Sequence, residues 1–471
     1  MQKLLFMFTV ACASSVGAQI NFWTLQDCID TALHKNIDYS IAQQNYSITN
    51  EDLLASKMSR SPDLRFSGGQ FIQAGRSIDR FTNQFVIQTI ASNNFQLQSN
   101  SVLYAGGQVK YQIKAAKLNT EASKKDLLFT QQNLSFNVTN AYLQAVQASE
   151  QKKISKQNLA NTTEQLERIK KLFTAGAASE GDLIGLEAQK ANEEALLVNS
   201  MTAENAALTS LKLLLRLPGD YIFALKSLNL GTITPSKYPL SLQELYDTAL
   251  MQRPNIMAAE LRLAATKAIQ KSTQGSRLPT ISASANLNTV YSDNAKEITG
   301  YSLTGSQVIG TVQGSGSIVE APTFKASTKT IGPGQQLQNN FGGSVGLNLS
   351  VPIYNKRQIK TSINKAKINT ELSRLNLEKS KQNLYNEIAT AYVNFTNSYS
   401  RFNANQRAFD LQKRNVALNQ KRFEAGQISE FDFQIAKNTY QLASQNYIVA
   451  KYNYVFNQLV LDYYAGLELS L

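Results

Sequence analysis

The chain has 471 residues, 43% of them hydrophobic and only 17% charged, with a net charge of +13. That length exceeds one ordinary core, so two or more units are expected. The basic excess is scattered along helix-like stretches rather than clustered, which argues against nucleic acid as a partner.

The opening MQKLLFMFTVACASSVGAQ reads as a secretory leader. Lys3 supplies the charge, Leu4–Ala11 the apolar run and Val16-Gly17-Ala18 the small-residue cleavage site, so residues 1–18 are assigned to a signal peptide. Cys12, three places after Thr9, offers a lipoprotein reading as the alternative. After cleavage Cys28 is the only cysteine, so no internal disulfide is expected, and Cys28 is read as a buried small residue. Beyond the leader no apolar run of about 18 residues appears. An exported chain of this kind is either soluble or crosses a membrane as a β-barrel.

From Leu25 onward the chain states one plan twice. LQDCIDTAL at Leu25–Leu33 returns as LQELYDTAL at Leu242–Leu250, and RSP at Arg60–Pro62 returns as RLP at Arg277–Pro279, both at an offset of 217. The offset then becomes 250: AAKLNTE from Ala115 matches KAKINTE from Lys365, and FTAGAASEGD from Phe173 matches FEAGQISEFD from Phe423. Such self-similarity divides the mature chain into 19–240 and 241–471. The change of offset locates an insertion of 33 residues between Pro279 and Ile353. Its Gly/Ser/Thr-rich stretches, LTGSQVIGTVQGSGS and KTIGPGQQ, predict a long exposed loop. The join from Pro218 reads as a linker with one short strand.

Within each copy two short helices lead to a strand pair, at about 62–104 and about 279–354. Val345, Leu347, Leu349 and Val351 alternate with Gly346, Asn348, Ser350 and Pro352. Ile281, Ala283, Ala285 and Leu287 alternate with serines and asparagines. Phe95, Leu97 and Leu103 share one phase. Such period-two segments fit lipid on one side and a polar lumen on the other. Four strands cannot close a membrane barrel, because the smallest use about eight, so the chain is expected to pool strands with copies of itself.

Helical hairpins follow, at about 105–217 and about 355–464. No proline interrupts Gly107–Leu172 or Lys356–Arg422, and about sixty helical residues span about 100 Å. Phe395, Phe402, Phe409, Val416 and Phe423 recur every seven residues, with Leu159, Leu166 and Phe173 as counterparts, which predicts coiled-coil packing. The repeated turn reverses each long helix. Gly176 and Gly426 supply the positive φ that ends it. Ser179 and Ser429 cap the next helix with Asp182 and Asp432 in a capping-box arrangement, and Phe173 and Phe423 close the apolar end.

An enzyme has little support. The only histidine, His34, sits beside Lys35 on a short helix and is expected at the surface. No metal-ligand cluster, nucleophile motif or phosphate-binding glycine loop is found, so no catalytic residue, metal or cofactor is assigned. A periplasmic coiled-coil scaffold would account for the helices but not for the alternating strands.

The tandem repeat, strand pairs, long helices and paired F-x-A-G-x-x-S-x-x-D turns together resemble the TolC family of outer-membrane efflux proteins. The resemblance implies a mainly α homotrimer. Four strands per chain form a twelve-stranded β-barrel in outer-membrane lipid of a Gram-negative cell, continued by a long α-helical barrel through the periplasm with an equatorial domain. It implies a passive exit duct for small molecules, served by a periplasmic adaptor and an inner-membrane transporter; the outer component of a type I protein secretion system is the alternative. Carried over by position, Phe173, Ala175, Gly176, Ser179, Phe423, Ala425, Gly426 and Ser429 form the adaptor-docking tips. Asp432 matches an acidic gate position, Ile435 and Ile428 stand where some members carry an acid and a basic latch, and Glu430 is a candidate substitute acid.

Overall fold

The computed structural model describes residues 22–78, 85–226 and 234–467. The leader assigned to 1–18, including Cys12, lies outside the described residues. In chain order the first copy comprises β1 (Phe22–Trp23), α1 (Leu25–Lys35), α2 (Ile37–Met58), β2 (Arg65–Ile78), β3 (Phe85–Ala105), α3 (Gln108–Thr174), α4 (Glu180–Leu215) and β4 (Ala224–Leu225). The second comprises α5 (Leu242–Gln252), α6 (Pro254–Gly275), β5 (Thr280–Ser292), β6 (Lys296–Thr311), β7 (Ile318–Thr330), α7 (Pro333–Asn339), β8 (Gly342–Ser350), α8 (Gln358–Glu424) and α9 (Glu430–Tyr464). The repeats are not the compact units. One unit gathers residues up to Thr49, Asn119–Leu263 and Leu372 onward, and the other gathers Asn50–Leu118 and Ala264–Glu371. Each therefore draws on both copies: in the second unit β3 of one copy pairs with β5 of the other, and in the first unit side chains such as Lys437 bond across to α3.

In the β unit the main sheet has the order β2-β3-β5-β8, with each neighbouring pair antiparallel. The register aligns Phe66, Leu97 and Leu287, and then Ala285 with Val345, Ala283 with Leu347 and Ile281 with Leu349. One face is thus apolar. Successive side chains on a strand point to opposite faces, so Gln96, Gln98, Ser284, Asn286, Asn288 and Asn348 form the other. Val345 is 87% and Leu347 73% exposed, so this face requires an apolar surrounding. Opposite Leu287 stands Gly343, where an added Cβ would lie 2.8 Å from the leucine side chain.

The insertion is not an irregular loop. It forms an antiparallel hairpin, β6–β7, followed by α7. The register shifts between Ile298 and Gly300, between Leu303 and Gly305 and between Val308 and Gly310. Each shift is a bulge, which re-phases alternation. Ile298, Tyr301, Leu303 and Val308 consequently pair with Thr328, Ala326, Phe324 and Glu320 on one face. The return leg is pinned by buried Gln336. Its Nε2 donates to Ser292 O and Ile331 O at 2.9 and 2.7 Å, and its Oε1 accepts from Ser292 N at 2.9 Å.

The helical unit holds two cores that are equivalents across the repeat. Cys28, Ala32, Val138, Leu134 and Leu211 pack in one. Leu245, Leu384, Ile388 and Leu461 pack in the other, with Ala249 in the counterpart place of Ala32. Cys28 is fully buried, as expected, and burial pushes its thiol up to about 12. The short strand in the join is β4, parallel to β1. Tyr142 Oη ties this pair to the core by donating to Lys226 O at 2.9 Å. Each LQ-x repeat opens under a capping box, Thr24 with Asp27 and Ser241 with Glu244. His34 lies exposed in the last turn of α1.

Helices α3 and α8 are each 67 residues long. The seven-residue aromatic series on α8 meets a matching series on α9. Phe423 stacks on Phe433 at 5.3 Å, Phe409 on Tyr440 and Tyr447 at 5.8 and 4.8 Å, and Phe402 on Tyr447 and Tyr454 at 5.7 and 5.3 Å. The first hairpin departs from this at one informative place. Lys152 and Glu204, the counterparts of Phe402 and Tyr454, form an ion pair at 2.6 Å. Deleting the Phe402 ring is expected to cost about 3–5 kcal/mol. Lys152→Ala should cost roughly 1 kcal/mol, a loss that shrinks as salt screens the pair. Thermal unfolding in detergent at low and high salt checks both.

Candidate functional site at the hairpin ends

Each long helix ends in the same hydrogen-bonded reversal. Gly176 N–H donates to Phe173 O at 2.9 Å and Ala177 N–H to Leu172 O at 2.8 Å; Gly426 and Gln427 repeat this on Phe423 and Arg422 at 2.9 and 2.8 Å. This is the Schellman pattern, which places the residue after the cap in the left-handed region. Gly176 and Gly426 have φ of +74° and +67°. An added Cβ at either would meet open space, so only backbone conformation demands glycine there. Ala175, Gly176, Ala425 and Gly426 are all exposed.

The caps differ between copies. Ser179 Oγ accepts from Asp182 N at 3.1 Å while Asp182 Oδ2 accepts from Ser179 N at 3.1 Å, a complete box. Ser429 Oγ accepts from Asp432 N at 3.1 Å and donates to Asp432 Oδ2 at 2.7 Å. No return bond to the Ser429 amide accompanies it, so the second arrangement is a side-chain cap and not the full box expected. A carboxylate in this first turn also suits the helix dipole. Phe423 closes the second hairpin through its stack on Phe433. Phe173 is 40% exposed, and the first hairpin is closed instead by Leu166, Ile169 and Leu186 with Ala178 and Leu183.

Asp432 is exposed and engaged in the cap, whereas Glu430 is half-buried. Burial raises the Glu430 carboxyl above its ordinary value. The Asp182 carboxylate pushes the same way, against the pull of Lys437 and Arg168. Glu430, Lys437, Arg168, Glu164, Phe423 and Gln441 line a cavity of about 500 Å³.

The sequence reading missed Lys437. It is 8% exposed, and its Nζ donates to Thr162 Oγ1 and Gln165 Oε1 of α3, each at 2.8 Å. Burial lowers its pKa, opposed by the carboxylates of Glu193 and Glu430. Glu193 of α4 is 2% exposed; its Oε1 accepts from Gln189 and Gln441 at 2.8 and 3.0 Å, and its Oε2 has no partner. Gln434 and Asn438, on the same stretch of α9, also carry buried polar atoms without partners. Orphaned polar groups in an interior are costly. The second hairpin is therefore zipped internally by rings, while its contact with the first hairpin is polar and incompletely bonded. The spacing 434, 437, 438 and 441 is a helix face, and a polar stripe on an otherwise aromatic helix is the signal that marks it.

Replacing Lys437 with methionine leaves Thr162, Gln165 and Glu193 uncompensated. It should destabilise by about 1–3 kcal/mol, with Glu193→Gln restoring part of the loss in thermal unfolding. A raised carboxyl pKa means that the folded state holds its proton longer than the unfolded state. Glu430 accordingly contributes stability that is full at low pH and is lost as pH rises through the folded value. Carboxyl NMR titration should show Glu430 titrating above exposed glutamates, and Glu430→Gln should flatten that part of the pH–stability curve.

Residues 29–218 and 245–467 match the family described as outer membrane efflux protein, one stretch in each copy. The outer membrane efflux protein BepC of Brucella suis is 22% identical over 353 residues, which cover 74% of this chain and 66%, just under two thirds, of that protein. Among solved structures, CusC superposes with a TM-score of 0.73 at 18% identity, covering 94% of this chain and 92% of that one. The CmeC outer membrane channel of Campylobacter jejuni gives 0.70 at 18%, covering 95% and 87%. The chain belongs to the outer membrane efflux protein family.

Proposed function

We propose that the protein is the exit duct of a tripartite efflux system, passively releasing small molecules delivered by a periplasmic adaptor and an inner-membrane transporter. The observation that carries this reading is the sheet β2-β3-β5-β8. It has one apolar exposed face, one amide-rich face and two outer strands, β2 and β8, each with a single partner in the sheet. Three copies joined β8 to β2 would close such sheets into a twelve-stranded barrel and leave no edge in lipid. The helical hairpins would continue the duct through the periplasm, with Phe173, Ala175, Gly176, Ser179, Phe423, Ala425, Gly426 and Ser429 forming the ends to which the adaptor docks. Opening would carry the second hairpin away from the first as a body, across the contact of Lys437 with Thr162 and Gln165. Asp432 and Glu430 would set the charge at the narrow end.

Gly426→Trp separates docking from folding, because the side chain enters open space and the left-handed backbone adds only about 1–2 kcal/mol of strain. It is expected to lower efflux-dependent resistance severalfold in a complementation assay while trimers persist on native gels. Unchanged resistance would remove that turn from the docking surface.

A further inference from the structure

We infer that the inserted β6–β7 hairpins of three copies pack on one another through their apolar faces above the barrel mouth. This rests on the barrel reading above, which sets three copies around one axis.

Strand β6 carries a five-residue repeat. Ile298, Leu303 and Val308 recur at that spacing, as do Gly300, Gly305 and Gly310. Each repeat holds one bulge, so five residues of β6 advance only four places along β7: Ile298 pairs with Thr328, Leu303 with Phe324 and Val308 with Glu320. Four is even, and side chains alternate between faces, so the three aliphatic residues share one face. Tyr301, Phe324 and Ile318 join them there. Leu303 is 67% and Phe324 59% exposed. Among the paired residues, the opposite face carries Glu297, Ser302, Gln307, Lys325 and Lys329, and turns apolar only at Ala321 and Val319.

Two strands alone are marginal in water, and among the described residues β6 and β7 form a sheet with no third member. Sideways extension is blocked, because the bulges interrupt β6 and Pro322 in the middle of β7 has no N–H to give. The hairpin must therefore gain its cover on the apolar face. Lipid does not suit that face. Glu320 stands on it beside Ser306, whose Oγ donates to the Glu320 carboxylate. A carboxylate is costly in hydrocarbon, whereas it belongs in the polar rim of a protein contact.

Another copy of the same hairpin does suit it. The base of the hairpin is fixed to the main sheet: Asp293 N donates to Ala91 O at 3.0 Å, Asp293 Oδ1 accepts from Ala91 N at 2.9 Å, and Ile331 N donates to Ala295 O at 3.0 Å. Strands about 4.8 Å apart and tilted about 40° close a twelve-stranded barrel of about 12 Å radius. The 16 residues of β6 reach up to about 50 Å at ~3.3 Å each. Three hairpins anchored around such a mouth are long enough to meet over its axis, and each brings the same uncovered face.

One cysteine per chain, introduced into the full-length protein in its membrane and treated with a short bismaleimide, tests this with the wild-type chain as the blank. Leu303→Cys and Phe324→Cys, partners on the apolar face, should give severalfold more covalent dimer than Ser302→Cys and Lys325→Cys, partners on the other face at the neighbouring rung. Tyr301→Cys repeats the comparison should the Leu303 variant fail to reach the membrane. Equal yields from the two faces, or none from either, in protein that runs as a trimer on native gels, would overturn this inference and leave the barrel reading standing. Quenching of a fluorophore on Leu303→Cys by nitroxide-labelled lipid in reconstituted vesicles would give the face to the membrane and overturn it equally. Folded protein that stays monomeric in detergent would overturn both.

Discussion

A backbone N–H or C=O left without a partner in hydrocarbon costs several kcal/mol, and a flat sheet carries a row of them along each edge. Everything distinctive in the β unit follows from that constraint. Its four strands satisfy one another internally, yet β2 and β8 each have one neighbour. Its apolar side chains are spread over one face instead of being buried within the chain. The proposed barrel would cover that face with lipid and those edges with strands of other copies. The family's place in the outer membrane and the proposed sharing of strands between copies are two sides of one requirement.

The helical unit answers a different problem. Helices of 67 residues need contacts along their length, since propensity alone does not hold a helix of that size in one place. The second hairpin meets the need with rings recurring at seven-residue spacing, Val416 of α8 excepted. The first uses aliphatic side chains and the Lys152–Glu204 pair. The bonds that cross between the hairpins, by contrast, are polar: Lys437 to Thr162 and Gln165, and Gln441 to Glu193, whose Oε2 has no partner. Under the opening proposed above, that contrast in bonding would make the zipped hairpin the body that moves.

Much of this was legible in the residues. The seven-residue series, the glycine reversals, the serine caps and most of the strand alternation rest on local periodicity and lie where the pattern put them; Leu103 is the exception, because β3 shifts register between Val102 and Tyr104, and Tyr104 takes the place opposite Ile281. The inserted hairpin was not legible. Its bulges at every fifth residue break the alternation by which a strand is recognised, so Ile298, Tyr301, Leu303 and Val308 looked unphased although they share a face. The role of Lys437 was hidden for another reason. Its partners Thr162 and Gln165 lie in the other copy, more than 270 residues away in sequence, and no periodicity reports such a meeting. Phe173 misled because sequence equivalence to Phe423 does not carry over the ring at Phe433, whose counterpart is Leu183.

The inserted hairpin leaves the sheet at the ends of β5 and β8 opposite those that lead to α6 and α8. Thirty-three extra residues entered there without disturbing the spacing of anything that follows. The turn from Val312 to Ser317, with its left-handed Gly314 and Gly316, is anchored only through its own two strands. It is a natural place for the chain to acquire new sequence: such a turn can lengthen, or carry a grafted epitope, while the four strands of the main sheet keep their register.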